Sequence, residues 1–460
     1  MRILEDEYEG AQFGDQRLNA RVKRLADKLS ERPGDSFPDA FPDESQLEAV
    51  YRFVNNDRVT LRKVIEPHAM ATLRRAEAEH VIIVAHDTTG FRYEGRGRRG
   101  LGRLLQKGRG FYAHMALAVT RDEVRDPLGI LAVSTIVRGD ERTDKKRDKN
   151  AKIRRNNRES LRWGKLVEEV SDRCQGVVET IHVMDREADS YELFEHLING
   201  KHRFVIRSQH DRNLEAGGKL LSTLASAPIV AEREVALTAR VGHSAPAVRK
   251  IHPPREGRSA KLSVSATRVT VKNPLNKELS LELNLVRVLE TEPPTDCAPV
   301  EWRLATTEPV DTPEQVLAVV DAYRARWRIE EYFKALKTGC ALEKRQLETL
   351  DALLNALGLF IPIAWNLLRL RVLARQEQPA TKVLSPTQLK VLRASSKKEL
   401  PPQLSVRDAM LAIAKLGGHL KRNGDPGWIT LGRGYERLLD FEQGWKLARP
   451  GNSRQRCDQS

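Results

Sequence analysis

Cysteine is scarce in this chain. The four in 460 residues, Cys174, Cys297, Cys340 and Cys457, show no C-x-x-C spacing. That excludes a disulfide framework and a zinc ribbon, and fits a reducing cytoplasm. Long unbroken apolar runs are missing too. The nearest to one, Leu353 to Leu368, is interrupted by Asn355, Pro362 and Asn366, which predicts a buried core helix and no membrane span. The opening residues, Met1-Arg-Ile-Leu-Glu-Asp-Glu, do not read as a signal peptide. No stretch repeats internally. Acidic residues fall short of basic ones, 63 against 78, leaving a net charge of +15. Such an excess favours a polyanionic partner and says nothing about fold. The length allows two or three domains, each with its own core.

What the chain does contain is a charged stretch, Tyr323-Arg-Ala-Arg-Trp-Arg-Ile-Glu-Glu-Tyr-Phe-Lys-Ala-Leu-Lys337. It lacks Pro and Gly and is rich in helix formers, which predicts one helix. At about 100° per residue, Tyr323, Arg326, Glu330 and Lys337 fall within about 60° of one another. Ile329, Tyr332, Phe333 and Leu336 form an apolar stripe beside them. A phenol, a carboxylate and two cations in a row suit a metal ion and a phosphate held together. They equally suit a solvated face of i,i+4 pairs. Two other stretches bear on that choice. Val81-Ile-Ile-Val-Ala-His-Asp87 and Val177-Val-Glu-Thr-Ile-His-Val-Met-Asp185 are apolar runs ending on aspartate. Both predict buried strands that deliver a carboxylate to the sheet edge, where open α/β sheets place their chemistry. Two strand-end aspartates and a helix glutamate make a three-carboxylate site for two hard divalent cations.

Taken in order, these stretches resemble the DDE transposases of bacterial insertion sequences. The similar branch carries a Tyr-x2-Arg-x3-Glu-x6-Lys signature and includes the transposase of the kanamycin-resistance composite transposon. The match lies in Asp87-Thr-Thr, Asp185-Arg-Glu-Ala-Asp189, Tyr323/Arg326/Glu330/Lys337 and Lys337-Thr-Gly339. Weaker echoes are Gly14-Asp-Gln-Arg17, Tyr51-Arg-Phe53, Glu159-Ser160 with Trp163, Phe204-Val-Ile-Arg-Ser208 and Trp302. The resemblance implies an α/β fold: an RNase H-like mixed sheet flanked by helices, a β-rich insert, and helical N- and C-terminal regions. It implies Asp87, Asp185 and Glu330 as catalytic residues holding two Mg²⁺ ions, with Mn²⁺ able to substitute. Tyr323, Arg326 and Lys337 would position the phosphate backbone. The implied reaction is cut and paste: a nick, a hairpin made by the freed 3′-hydroxyl, its opening by water, and transfer to target DNA. The implied partner is double-stranded DNA, both transposon ends and target, bound by a homodimer. The expected setting is a bacterial cytoplasm, at the nucleoid.

Five regions follow along the chain. Residues 1–75 read as a helical DNA-binding domain. Leu18, Val22, Leu25 and Leu29 make an apolar stripe there, and Arg17, Arg21, Arg24 and Lys28 a parallel basic one. The basic stripe is either an ordinary surface or a row of phosphate contacts. Residues 76–209 predict the first part of the core, with strands at 81–86, 111–119, 128–137, 178–184 and 203–207. Helices are expected at 160–173 and 190–199, the second capped by Asp189 or Ser190. The Gly- and Arg-rich loop Arg92–Arg109 is a DNA contact or a solubilising hairpin, and the mixed-charge loop Arg138–Arg158 stays open between the same two readings. Residues 210–310 alternate at period two and predict the β-rich insert. In it Trp302 stacks on a flipped base, as the resemblance implies, or fills the interface between sheet and insert. Arg207, at a strand end, is a phosphate ligand or a plain surface residue. Residues 311–375 complete the core with Glu330. Residues 376–460 read as a helical self-association and DNA-end-binding region with a disordered tail from Arg449. Glu187 and Asp189 read as supports rather than metal ligands. Two other functions fit the same residues: a metal-dependent endonuclease that cuts without joining, and a DNA-binding regulator without chemistry.

Overall fold

Val81–Tyr93 forms strand β1, and its first half is Ile, Val and Ala buried on both faces. Such a strand belongs inside a sheet. Arg109–Thr120 (β3) runs antiparallel on one side of it, and Glu179–Met184 (β5) runs parallel on the other. Gly102–Arg103 (β2) and Pro127–Ile136 (β4) share the outer edge of β3. Arg203–Arg207 (β6) continues the parallel side beyond β5. Three antiparallel strands followed by two parallel ones make the RNase H-like core. The computed structural model describes residues 4–95, 97–105, 108–139, 159–237, 254, 256–295, 297–376, 378–396, 398–420 and 425–448. The charged loop beyond Gly139 and the tail from Arg449 lie outside them.

The insert extends this sheet. Ile229–Leu237 (β7), Arg258–Lys272 (β8), Ser280–Glu290 (β9) and Glu301–Thr306 (β10) pair as successive antiparallel neighbours. β10 then pairs with β6, so ten strands form one sheet among the described residues.

Helices cover the sheet. Arg162–Cys174 (α5) and Leu61–Ala76 (α4) lie on one face, where Leu73, Ala76, Leu166 and Val170 pack on Ile82, Val84 and Ala116. In the N-terminal region Gln16–Glu31 (α1) buries Leu18, Val22, Leu25 and Leu29, the expected stripe. Phe37–Ala40 (α2) and Glu44–Val54 (α3) follow. Tyr191–Asn199 (α6) is capped by the Ser190 hydroxyl, and Leu220–Ala225 (α7) leads into the insert. Residues Pro313–Ala325 (α8) and Trp327–Lys334 (α9) return to the core. The apolar Leu350–Leu373 (α10) is long enough to cross a membrane, but most of it is buried within the protein. It packs on α1, α3 and α4. Pro386–Ser395 (α11), Val406–Leu416 (α12) and Trp428–Ala448 (α13) close the chain around a small core of their own, including Leu392, Ile413 and Tyr435.

The stretch Tyr323–Lys337 is not the single helix that its composition predicts. α8 ends at Ala325, and Arg326 sits in a tight turn with Arg326 N–H bonded to the Tyr323 carbonyl at 3.1 Å. A π turn over Ala335–Gly339 then adds a residue, closed by the Cys340 N–H on the Ala335 carbonyl at 2.9 Å. Such single π turns occur often at functional sites.

Candidate active site

The parallel register of β1 and β5 fixes the first two carboxylates. Ala85 lies opposite Val183. Two residues further along β1 stands Asp87, and Asp185 directly follows the end of β5; the two carboxylates are close enough to act on one another. β1 continues to Tyr93 paired with β3, beyond the end of its pairing with β5. Asp185 turns into a short 3-10 turn over Arg186–Ala188, its Oδ1 accepting the Glu187 N–H at 2.8 Å. Helix α9 packs on β1 and brings Glu330 near the same Asp87 carboxyl.

Arg326 binds the two sides together. Its Nη1 donates to Asp87 Oδ2 at 3.1 Å and its Nη2 to Glu330 Oε1 at 2.5 Å. The Asp87 carboxyl also accepts the Thr88 N–H at 2.7 Å. Even so, its pKa is pushed up to about 7: burial is the main cause, and the Asp185 and Glu330 carboxylates add to it against Arg326. Burial works against the charge of Arg326 as well, but Tyr323, Glu330 and Asp87 outweigh it and hold the guanidinium protonated. Asp87 and Glu330 thus share one arginine, with the Asp185 carboxylate nearby. Three hard oxygen donors suit a divalent cation in type and sign. Among the described residues, no three His, Cys, Asp or Glu side chains already meet at one ion's distance; Arg326 stands between Asp87 and Glu330 instead.

The other expected site residues divide into two groups. Tyr323 is buried, its hydroxyl pKa raised by burial, with the charges of Arg326 and Arg207 nearby opposing that rise. The Trp302 ring meets it edge-on, 5.4 Å between centroids. Arg207, at the end of β6, donates to the Glu301 carbonyl at 3.3 Å. Lys337 leaves the π turn to donate to the Gly90 carbonyl of β1 at 2.6 Å, over the Phe91 ring; burial lowers its pKa. Tyr323, with Trp302 and Arg207 beside it, thus neighbours Arg326, and Lys337 reaches β1 three residues past Asp87. Arg92 is engaged elsewhere: its guanidinium pairs with Glu94 at 2.8 Å and its N–H donates to Glu343 at 2.7 Å. Arg17 is 89% exposed on α1 and pairs with Asp15, and Arg21 lies on the same helix, partly exposed.

Asp189 supports the neighbouring loop. It is buried, and its Oδ2 accepts the N–H groups of Gln209 and His210 at 2.6 and 2.9 Å. Arg212 pairs with its other oxygen at 2.6 Å. The strand end carrying Arg207 is thereby tied to the turn carrying Asp185. One neighbour escaped the sequence reading. Arg162, at the start of α5, bonds to Thr88 and Glu187, each close in sequence to one of the two aspartates. Its only sequence signal was its place between Glu159-Ser160 and Trp163.

Two protein-family models match the chain. Residues 1–59 match the transposase DNA-binding family, and residues 136–367, half of the chain, match the transposase DDE domain. Asp185, Tyr323, Arg326, Glu330 and Lys337 fall inside the second match, while Asp87 falls between the two. Among solved structures, the piggyBac transposase synaptic complex with hairpin DNA aligns over 98% of this chain and 74% of that one. Its identity is 12% and its TM-score 0.35, too low to bear on the site.

Proposed function

The chain belongs to the DDE transposases, and on that premise we propose that it cuts DNA at transposon ends and joins the freed 3′-hydroxyls to target DNA. The observation that carries this reading is that Arg326 bonds both Asp87 and Glu330, with the Asp185 carboxylate close enough to help raise the Asp87 pKa. Asp87, Asp185 and Glu330 are the residues to hold two Mg²⁺ ions, with Mn²⁺ substituting. Bound there, such ions would supply activation of a water or hydroxyl nucleophile and stabilisation of the leaving oxygen. Glu330 would release Arg326 to join them. Arg326 then exchanges a carboxylate for a DNA phosphate, its fork suited to two oxygens. Lys337, desolvated beside β1, gains a counter-charge from the same backbone. Tyr323 orients Arg326, and Trp302 stands beside it as the aromatic face for an unstacked base. The Tyr-x2-Arg-x3-Glu-x6-Lys branch, a hairpin intermediate, a dimer on paired ends and the fivefold division of the chain belong to the same proposal. So does end binding through Arg17 and Arg21 of the N-terminal region, with Arg92 and Arg207 as further phosphate contacts.

The test uses a marker cloned between the DNA segments that flank the gene, incubated with purified protein, Mg²⁺ and a target plasmid. Excised marker joined to target supports the proposal. Cut ends without joined product would make the protein an endonuclease. Binding without either would make it a regulator.

A further inference from the structure

Arg162 is only 13% exposed, and each of its three nitrogens is engaged. Nε donates to Thr88 Oγ1, Nη1 to the Glu159 carbonyl and Nη2 to Glu187 Oε2, all at 3.0 Å. Its guanidinium carbon lies 5.1 Å from the centre of the buried Trp163 ring. Thr88 directly follows Asp87, and Glu187 stands two residues past Asp185. Thr88 Oγ1 has a second partner, His114 Nδ1, at 2.9 Å. His114 is fully buried. One guanidinium, seated on a core tryptophan, is thus bonded to a near neighbour in sequence of each of the two aspartates, Asp87 and Asp185.

We propose that Arg162 is a positioning residue that sets the spacing of the Asp87 and Asp185 carboxylates for metal binding. This rests on the reading of those two aspartates as metal ligands. Arg326 and Arg162 act differently. Arg326 grips the Asp87 and Glu330 carboxylates themselves and competes with a cation for them. Arg162 grips Thr88 and Glu187 and leaves both aspartate carboxylates free. It is also a poor phosphate ligand, because presenting its fork to a phosphate means leaving Thr88 or Glu187.

The test measures bound Mn²⁺ through loss of the free-ion EPR signal, using full-length wild type, R162A, R162K and T88V. Gel shifts on the gene-flanking DNA run in parallel. Partners that orient metal ligands typically contribute about 10–100-fold in affinity. R162A and T88V should therefore bind Mn²⁺ at least about tenfold more weakly, with DNA binding and circular dichroism unchanged. R162K should fall with R162A, since an ammonium cannot span three partners as the fork does. Raising Mn²⁺ should restore cleavage by T88V, which a role in DNA contact would not predict. Unchanged Mn²⁺ affinity in folded R162A and T88V overturns the positioning role and leaves the transposase reading standing. A wild-type protein that binds no Mn²⁺ overturns both. If R162A does not fold, T88V alone decides, since it removes only the hydroxyl.

Discussion

Asp87 keeps its proton to an unusual pH because burial, and then Asp185 and Glu330, oppose its charge. Between the ordinary value of 3.8 and about 7, the folded protein holds a proton that the unfolded chain has lost. Stability contributed at this position therefore falls as pH rises through that window, and is fully kept below it. Asp87→Asn, which mimics the protonated carboxyl, should stabilise the fold at pH 8 by on the order of 2–4 kcal/mol. Below about pH 4 it should change little. Thermal melts of both proteins at the two pH values check this, and a pH-independent difference contradicts it. Metal binding needs the carboxylate, so Mn²⁺ taken up at pH 6 should displace a proton, and affinity should weaken as pH falls through 7. Calorimetry in buffers of different ionisation enthalpy reads that proton directly. Asp87 and Asp185 were legible in the sequence because each ends an apolar run. The Arg162–Thr88 bond was not, because it joins residues 74 positions apart through tertiary packing alone.

At the scale of elements, α10 shows how a buried helix tolerates a proline. Pro362 has no N–H, so the Gly358 carbonyl lacks its helical partner. The Tyr8 hydroxyl lies 3.3 Å from that carbonyl and 3.1 Å from that of Leu359, and shares its one proton between them from outside the helix. Tyr332 donates to the Ile361 carbonyl, just before the proline, at 3.2 Å. Tyr8→Phe leaves the buried Gly358 carbonyl unmatched and should lower stability by about 1–2 kcal/mol. Urea denaturation measures it, and an unchanged midpoint would mean that these contacts carry no net weight. The starts of the predicted strands lie close to the observed ones, since apolar runs mark them. The end of β1 was missed: pairing with β3 carries it past the expected end at 86 to Tyr93, through the small polar residues on which the apolar run ends. The π turn was equally hidden, because no Gly or Pro precedes it. Its extra residue matters all the same, since Lys337 within it reaches back to Gly90.

Across the whole molecule, one buried arginine joins the N-terminal region to the segment that follows Lys337. Arg345 donates to the carbonyls of Pro33, Asp35 and Cys340, and its guanidinium carbon lies 4.3 Å from the Phe360 ring centre. Arg345→Met should lower the melting temperature and open the 32–36 loop, which precedes α2, to limited proteolysis ahead of the core. Equal protection of that loop in both proteins would show that other contacts hold the region. The alternating pattern of residues 210–310 announced strands, yet only pairing with β6 reveals that they prolong the core sheet. Charge excess pointed to DNA but to no particular face. The central claim, that three carboxylates distant in sequence serve one reaction, is tested most directly by Asp87→Asn, Asp185→Asn and Glu330→Gln, one at a time. The measurement is Mn²⁺-dependent cutting of the gene-flanking DNA, alongside gel shifts on the same DNA. The account predicts that each substitution abolishes cutting while DNA binding persists; wild-type cutting by any one of the three would contradict it.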